Sequence, residues 1–433
     1  MRNDGLLNSA GLALSLRVLG AGLAFLLNAA IARLLGAEGA GLYFLSLSVV
    51  GIGAVVAKLG IDNATLRLVA SSAAHGHWGT VRAVYASSMW ATGAASFATS
   101  LVVFLAAPLI ADMVFQKPAV AGPLRAMSFA IFTFSMMTLL SESLKGLQRI
   151  TSSMLVAGAI YPFVAIVALV PLVTGNGPDG ASLAYMLGTS VAALFGGFAW
   201  HRAMLGRTGP DTFDRKHLIS SARPLWLMSI INRAVIPWLP LFLLGVWGSA
   251  AESGVFGAAT RLSMIVTLFL TSVNAVIAPK FAELHAKGDM TEMARIARQF
   301  AVILTLATSP LFLVLIFAGD WVMSMFGPEF TAGGTALAIL AVGQAINTTT
   351  GSVGYVLMMT GHERDTRNGA ILAMSVLVAS AAAIMPFYGL IGAAVASSSA
   401  VAASNIWSVI MAHRRLGFSP IGGTPFARNE PRP

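Results

Sequence analysis

Cysteine is absent from this chain, and acidic side chains are scarce. Without cysteine there are no disulfides, thiol nucleophiles or thiolate metal ligands, and the redox compartment leaves no trace in the sequence. Asp and Glu number 17 among 433 residues, against 27 Lys and Arg. None of the seventeen is expected at the centre of an apolar run. Glu142 comes nearest, while Asp62, Asp112, Asp179 and Asp320 read as loop or cap residues. Enzyme signatures are missing too. No Gly-Lys dipeptide occurs, which excludes a P-loop and self-contained ATP-driven transport. There is no HExxH, no Cys/His cluster and no G-x-S-x-G, so no catalytic residue, metal or cofactor is expected. His75 and His77 flank Gly76 in a loop and read as solvated.

What fills the chain instead is apolar. Hydrophobic residues make up 57% and charged residues 10%, against about 25% charged in an average soluble domain. This is the composition of an integral membrane protein. The net charge of +10 does not point to nucleic acid, because the basic residues lie in short connections between apolar runs and so report topology. Apolar runs are expected as helices near 9–34, 40–60, 84–107, 124–145, 153–174, 180–201, 223–247, 254–278, 298–319, 335–360, 369–387 and 390–412. About twelve helices result, each long enough for ~30 Å of hydrocarbon. The first run exceeds the ~7–15 residues of a signal-peptide core and reads as a retained helix.

Lysine and arginine set the orientation. With the N-terminus inside, 21 of the 27 fall on the cytoplasmic side, Lys58, Arg67 and Arg82 among them. Three, Arg33, Lys117 and Arg125, fall outside, and Arg17, Arg233 and Arg261 fall within spans. That asymmetry places both termini in the cytoplasm. Trp200, Trp226, Trp247 and Trp321 sit at span ends, where interfacial anchors belong.

The two halves repeat. Gly146-Leu147-Gln148-Arg149 matches Gly361-His362-Glu363-Arg364. Glu38-Gly39-Ala40-Gly41 resembles Glu252-Ser253-Gly254, and Gly180-Ala181-Ser182 matches Gly392-Ala393-Ala394, all at nearly one offset. Six helices per repeat is an even number, so the repeats share orientation and pair about an axis normal to the membrane. Residues 1–205 form an N-terminal lobe, 206–222 a cytoplasmic linker, 223–415 a C-terminal lobe and 416–433 a disordered cytoplasmic tail. Binding is expected between the lobes.

The candidate chemistry is cationic. An arginine within a span costs about 2.5–3.5 kcal/mol on insertion scales, so it should face protein or water. Arg17 shares a small, polar helix face with Ala24 and Asn28, while Leu16, Leu19, Leu23 and Leu26 form the opposite face. Asn232 and Arg233 open the seventh helix, and Pro237 and Pro240 behind them should bend it. Arg261 either joins the cavity or snorkels to the outer interface. The tenth helix carries Gln344, Asn347, Thr348, Gly351 and Tyr355, as a cavity wall or as helix–helix hydrogen bonds. Cations without a central carboxylate suggest a cavity for an anion, with guanidinium forks gripping phosphate or pyrophosphate.

The order Leu35-Gly36-Ala37-Glu38-Gly39-Ala40-Gly41-Leu42-Tyr43, then Gly60-Ile61-Asp62-Asn63-Ala64 with Arg67, then Gly146-Leu147-Gln148-Arg149, resembles the Wzx-type polysaccharide and O-antigen lipid flippases. These belong to the multidrug/oligosaccharidyl-lipid/polysaccharide exporter superfamily, and the resemblance covers essentially the whole chain. It implies an all-α membrane protein whose two six-helix lobes form a V-shaped, MATE-like bundle. It also implies export of an undecaprenyl-pyrophosphate-linked oligosaccharide by alternating access, for surface, lipopolysaccharide or exopolysaccharide synthesis. Arginines of the first and seventh helices would then contact the anionic headgroup. Implied partners are the lipid-linked oligosaccharide, membrane lipids, and polymerase and chain-length proteins; the implied location is a bacterial inner membrane. The alternatives are a multidrug or organic-cation antiporter of the same superfamily, which wants acidic and aromatic cavity walls, and a membrane-embedded polymerase, which wants long outer loops bearing catalytic groups.

Overall fold

The computed structural model describes residues 3–210, 213, 218, 222, 226–351 and 353–417. Among these residues there are helices and turns and no strand. The 416–433 tail lies almost wholly outside them, as does most of the 206–222 linker. The helices are α1 (Asn3–Ala57), α2 (Ile61–Ala74), α3 (Trp78–Leu109), α4 (Ala121–Ser128), α5 (Ala130–Gly146), α6 (Ile150–Met154) and α7 (Tyr161–Met204). There follow α8 (Trp226–Trp247), α9 (Ala250–Ser263), α10 (Ile265–Ala286), α11 (Met290–Phe317), α12 (Gly319–Ser324), α13 (Gly334–Thr349), α14 (Val353–Met359) and α15 (Glu363–Leu416).

Three helices are too long for one crossing. Apolar segments of 43, 55 and 54 residues, Ser15–Ala57, Ile150–Met204 and Glu363–Leu416, would each run beyond about 60 Å at 1.5 Å per residue. Each carries one non-helical residue where an expected pair of spans meets: Gly36, Gly177 and Gly389. At Gly177 (φ 52°) and Gly389 (φ 44°) the backbone enters the left-handed half of the map, which a side chain resists. The chain then doubles back, so that a Cβ on Gly188 would clash with the Tyr161 carbonyl and one on Gly369 would meet Trp407. These two turns stand at the offset of the Gly180 and Gly392 repeat. The protein is therefore a multi-pass, all-helical membrane protein.

The structure also corrects the reading of 61–74. That stretch, expected as a loop between spans, is the amphipathic helix α2, and five of its residues are buried, Ile61, Asp62, Ala64, Thr65 and Val69. Trp200 is not an interfacial anchor either; it is buried and stacks on Tyr85 at 4.2 Å.

The chain divides into two compact units, residues 1–257 and 258–433. In the first, small residues let helices touch. Ser88, Thr92, Ser96 and Ser100 recur every four residues along α3, all fully buried, as membrane helix packing favours where no hydrophobic force separates helix from lipid. The Thr65 hydroxyl donates to Ser88 at 2.7 Å. The Ser100 hydroxyl accepts the Phe132 amide at 3.1 Å. Gly41 and Gly254 bring α1 and α9 into backbone contact, where any Cβ would collide with the Ala250 or Ala37 carbonyl. In the second unit, Ile277, Phe281, Leu284, Met293 and Val356 build a core from α10, α11 and α14.

Candidate functional site

Helix α8 packs antiparallel along the second half of α1 and the start of α2. Gly60 meets the Trp226 backbone, Gly51 meets the Trp238 ring and Leu45 meets Gly245, each within van der Waals range of where a Cβ would stand. Gly51 is thus a close-packing residue. Gly60 (φ 74°) turns the chain between α1 and α2 and lets Ala222 and Trp226 approach its backbone. The next residues of the same motif carry the chemistry.

Asp62, in the first turn of α2, is 2% exposed. Its Oδ2 accepts from Arg233 Nη1 at 2.9 Å and lies 3.5 Å from Lys58 Nζ. Asn63 completes the arrangement. Its side-chain carbonyl accepts from Arg233 Nη2 at 3.2 Å, and its amide donates to the Ser229 hydroxyl at 3.3 Å. Lys58 is 4% exposed and its ammonium sits 5.6 Å from the Phe134 ring centroid. The Arg233 side chain is 45% exposed. Two cations therefore share one carboxylate, leaving one net positive charge, and two of the five guanidinium N–H donors of Arg233 are committed to the described bonds.

These contacts overturn two expectations. Asp62 is not a loop or cap residue remote from the arginines, and Arg233 does have an acidic partner. Lys58, counted with the cytoplasmic loop charges, is buried. The cause is the unforeseen helix α2: by turning at Gly60 and starting a new helix at Ile61, the chain tucks Asp62 against α8 and places it at a helix N-terminus, where a carboxylate is stabilised. The four-residue spacing of Lys58 and Asp62 is no helical signal, because the chain leaves the helix between them at Leu59 and Gly60, both at positive φ.

Arg233 is presented by a local distortion. Proline 237 has no N–H to give the Arg233 carbonyl, and its ring crowds that oxygen. The helix widens there into a π turn over Ile230–Val235, the kind of bulge that often accompanies function. Pro162 stands in the same relation to Gly158, inside a second π turn, Leu155–Ile160. A Cβ on Gly20 would lie 2.9 Å from the Gly158 carbonyl, so the first helix docks by Gly20 on that widened turn.

The remaining candidates fall in different settings. Arg17 is exposed one turn from Gly20, and no bond to its side chain exists among the described residues. Asn28 is half-buried and donates back to the Ala24 carbonyl at 2.6 Å. Leu19 and Leu26, on the opposite face, are exposed as lipid-facing residues should be. Asn232 is exposed beside Arg233, and Arg261 is half-buried in the second unit. On α13, Asn347 donates to Gln344 at 3.3 Å and accepts from Asn405 of α15 at 3.2 Å. Asn405 in turn accepts from the Thr350 hydroxyl at 2.9 Å. Thr348 is buried and its hydroxyl donates to the Gln344 carbonyl at 2.9 Å. Of the two readings of this stripe, the structure displays helix–helix hydrogen bonding.

Known proteins bear on this geometry. The family described as Polysaccharide biosynthesis protein matches residues 6–285, which include α1, α2 and α8 with all of the Lys58–Asp62–Arg233 cluster. The chain belongs to that family. Among its curated relatives is the probable low-salt glycan biosynthesis flippase Agl15 of Haloferax volcanii. The two are 23% identical over 416 residues, 93% of this chain and 82% of the relative. The probable flippase AglR of the same organism is 23% identical over 271 residues, 61% of this chain and 56% of AglR. Among solved structures, an inward-facing multidrug resistance MATE family transporter of the MOP superfamily superposes with a TM-score of 0.75 at 17% identity. That match covers 94% of this chain and 98% of that one. The lipid II flippase MurJ, in an inward closed conformation, gives 0.67 at 13% identity, covering 89% and 87%. Both likenesses show the fold, that of the MATE transporters.

Proposed function

We propose that this protein is a flippase that carries a lipid-linked oligosaccharide, on an undecaprenyl-pyrophosphate or similar carrier, from the inner to the outer leaflet by alternating access. The observation that carries the reading is the half-exposed guanidinium of Arg233 in a net positive cluster on a membrane helix. A glycan and its phosphates cannot cross hydrocarbon unaided, and a planar fork of N–H donors suits phosphate oxygens. Asn232, exposed beside Arg233, is its adjacent complement, and Arg17 is an exposed cation on the first helix. The relatives that support the reading are named flippases and transporters rather than enzymes. The corresponding location is the plasma membrane with both termini cytoplasmic, and the product feeds surface polysaccharide synthesis.

A buried carboxylate could seem to revive the organic-cation antiporter. Asp62 does not serve that reading, because two cations already hold it.

The reading is tested by deleting the gene and extracting lipid-linked oligosaccharides. Accumulation of carrier-linked glycan with loss of surface polymer supports it. Unchanged polymer with altered sensitivity to organic cations would transfer the protein to the antiporters.

A further inference from the structure

Asp62 has two cations where charge balance needs one. Lys58 and Asp62, both nearly excluded from solvent and joined by the turn at Leu59 and Gly60, already make a neutral pair. Arg233 reaches the same Oδ2 from another helix while nearly half of its side chain stays exposed. We propose that Lys58 is a positioning residue that makes the Arg233–Asp62 contact exchangeable, so that Arg233 transfers from Asp62 to the oxyanion of a phosphate-bearing ligand. This inference rests on the anionic-headgroup reading above and adds to it the exchange and the two residues that permit it.

The argument turns on what each departure leaves behind. If Arg233 were the sole counter-ion, its withdrawal would strand a 2%-exposed carboxylate inside a membrane protein, and breaking a buried pair that way is strongly unfavourable. With Lys58 in place, withdrawal leaves a paired carboxylate behind. Lys58 itself is poorly placed to leave: it is buried, lies against the Phe134 ring, and is held to Asp62 across the short turn at Leu59 and Gly60. Arg233 is the mobile partner by exposure and by the widened π turn beneath it. Asn63 suits the same exchange. It holds the guanidinium through a neutral carbonyl, which a phosphate oxygen readily displaces because a charged acceptor makes the stronger bond. Glu142, the other carboxylate acting on Lys58, is occupied by Lys145 at 2.7 Å and so does not compete for the lysine.

The proposal predicts that binding lost with Lys58 returns when Asp62 is neutralised as well, an outcome that misfolding does not reproduce. The probe is inorganic pyrophosphate, titrated calorimetrically into the full chain in lipid nanodiscs. Lys58→Met should weaken binding about tenfold, because Asp62 now holds Arg233 without a rival. Lys58→Arg should restore it, and the double variant Lys58→Met with Asp62→Asn should return to within about threefold of the unaltered protein, since no carboxylate is left to retain Arg233. If Lys58→Met fails to yield folded protein, Lys58→Gln alone and with Asp62→Asn decides the same question. A double variant as weak as the single one would overturn the exchange and make Lys58 merely structural. Unaltered binding by Lys58→Met would do the same. Absence of pyrophosphate binding by the unaltered protein would remove the anion reading of Arg233 and this inference with it.

Discussion

The polar centres of the two compact units are built from opposite chemistry. In the first unit three charges meet, Lys58, Asp62 and Arg233, and one cation is left over. In the second, Gln344, Asn347, Thr350 and Asn405 join α13 to α15 through neutral groups that satisfy one another. The scaffold repeats closely enough that Gly177 and Gly389 make the same turn in each half. The chemistry does not repeat with it. The amide network ties two helices together through neutral groups. A cluster with excess charge and an exposed guanidinium has something to give. The difference assigns headgroup binding chiefly to the first unit and helix cohesion to the second.

The comparison breaks most dramatically at Asp62. Asp62→Ala leaves Lys58 and Arg233 as neighbouring cations without a counter-ion, and should cost about 3–5 kcal/mol of stability. Thermal unfolding of detergent-solubilised protein would read it, with Lys58→Met in the same background recovering part of the loss. Retention of the unaltered melting temperature would mean the triad does not hold α2 to α8.

Arg17 gives the converse case. It has no described partner to lose, so Arg17→Ala should change stability by less than about 0.5 kcal/mol while nearly abolishing export, and Lys should restore only part. Surface polymer measured beside membrane-inserted protein separates the two effects. Full export by the alanine variant would reduce Arg17 to a snorkelling residue at the interface.

In the second unit the effect is smaller. Asn405→Leu unties Asn347 and Thr350 together and should cost about 1 kcal/mol, since hydrogen bonds between membrane helices average about 0.6 kcal/mol each. Its transport defect should follow the loss of folded protein, not a change in affinity. A large drop in headgroup affinity with stability intact would move ligand binding to the amide network after all.

Much of this was legible before any coordinates. Run lengths and glycine punctuation put boundaries between expected spans at Gly36, Gly177 and Gly389, where the structure has its non-helical residues. The arginines stood out because an apolar run makes any charge conspicuous. The carboxylate did not, because Asp62 follows Gly60 just past the end of an apolar run. There a helix start and a loop carry the same residues. Only the packing of α8 against Gly60 and Gly51 reveals that this stretch is interior. The α13 stripe was ambiguous for a related reason: periodicity gives the face of a helix, but the answer lay with Asn405, some 58 residues further on.

The central claim is that Arg233 supplies the positive charge for an anionic lipid headgroup. The direct measurement is translocation of a pyrophosphate-linked glycolipid in proteoliposomes carrying the unaltered protein or Arg233→Ala. Both are tested with and without an imposed inside-negative potential, with pH and sodium held fixed. Outward movement of about two negative charges should gain about 4–5 kcal/mol per 100 mV. The unaltered protein should therefore flip faster under potential, and Arg233→Ala should flip at the rate of empty vesicles. Full translocation by Arg233→Ala would contradict the account.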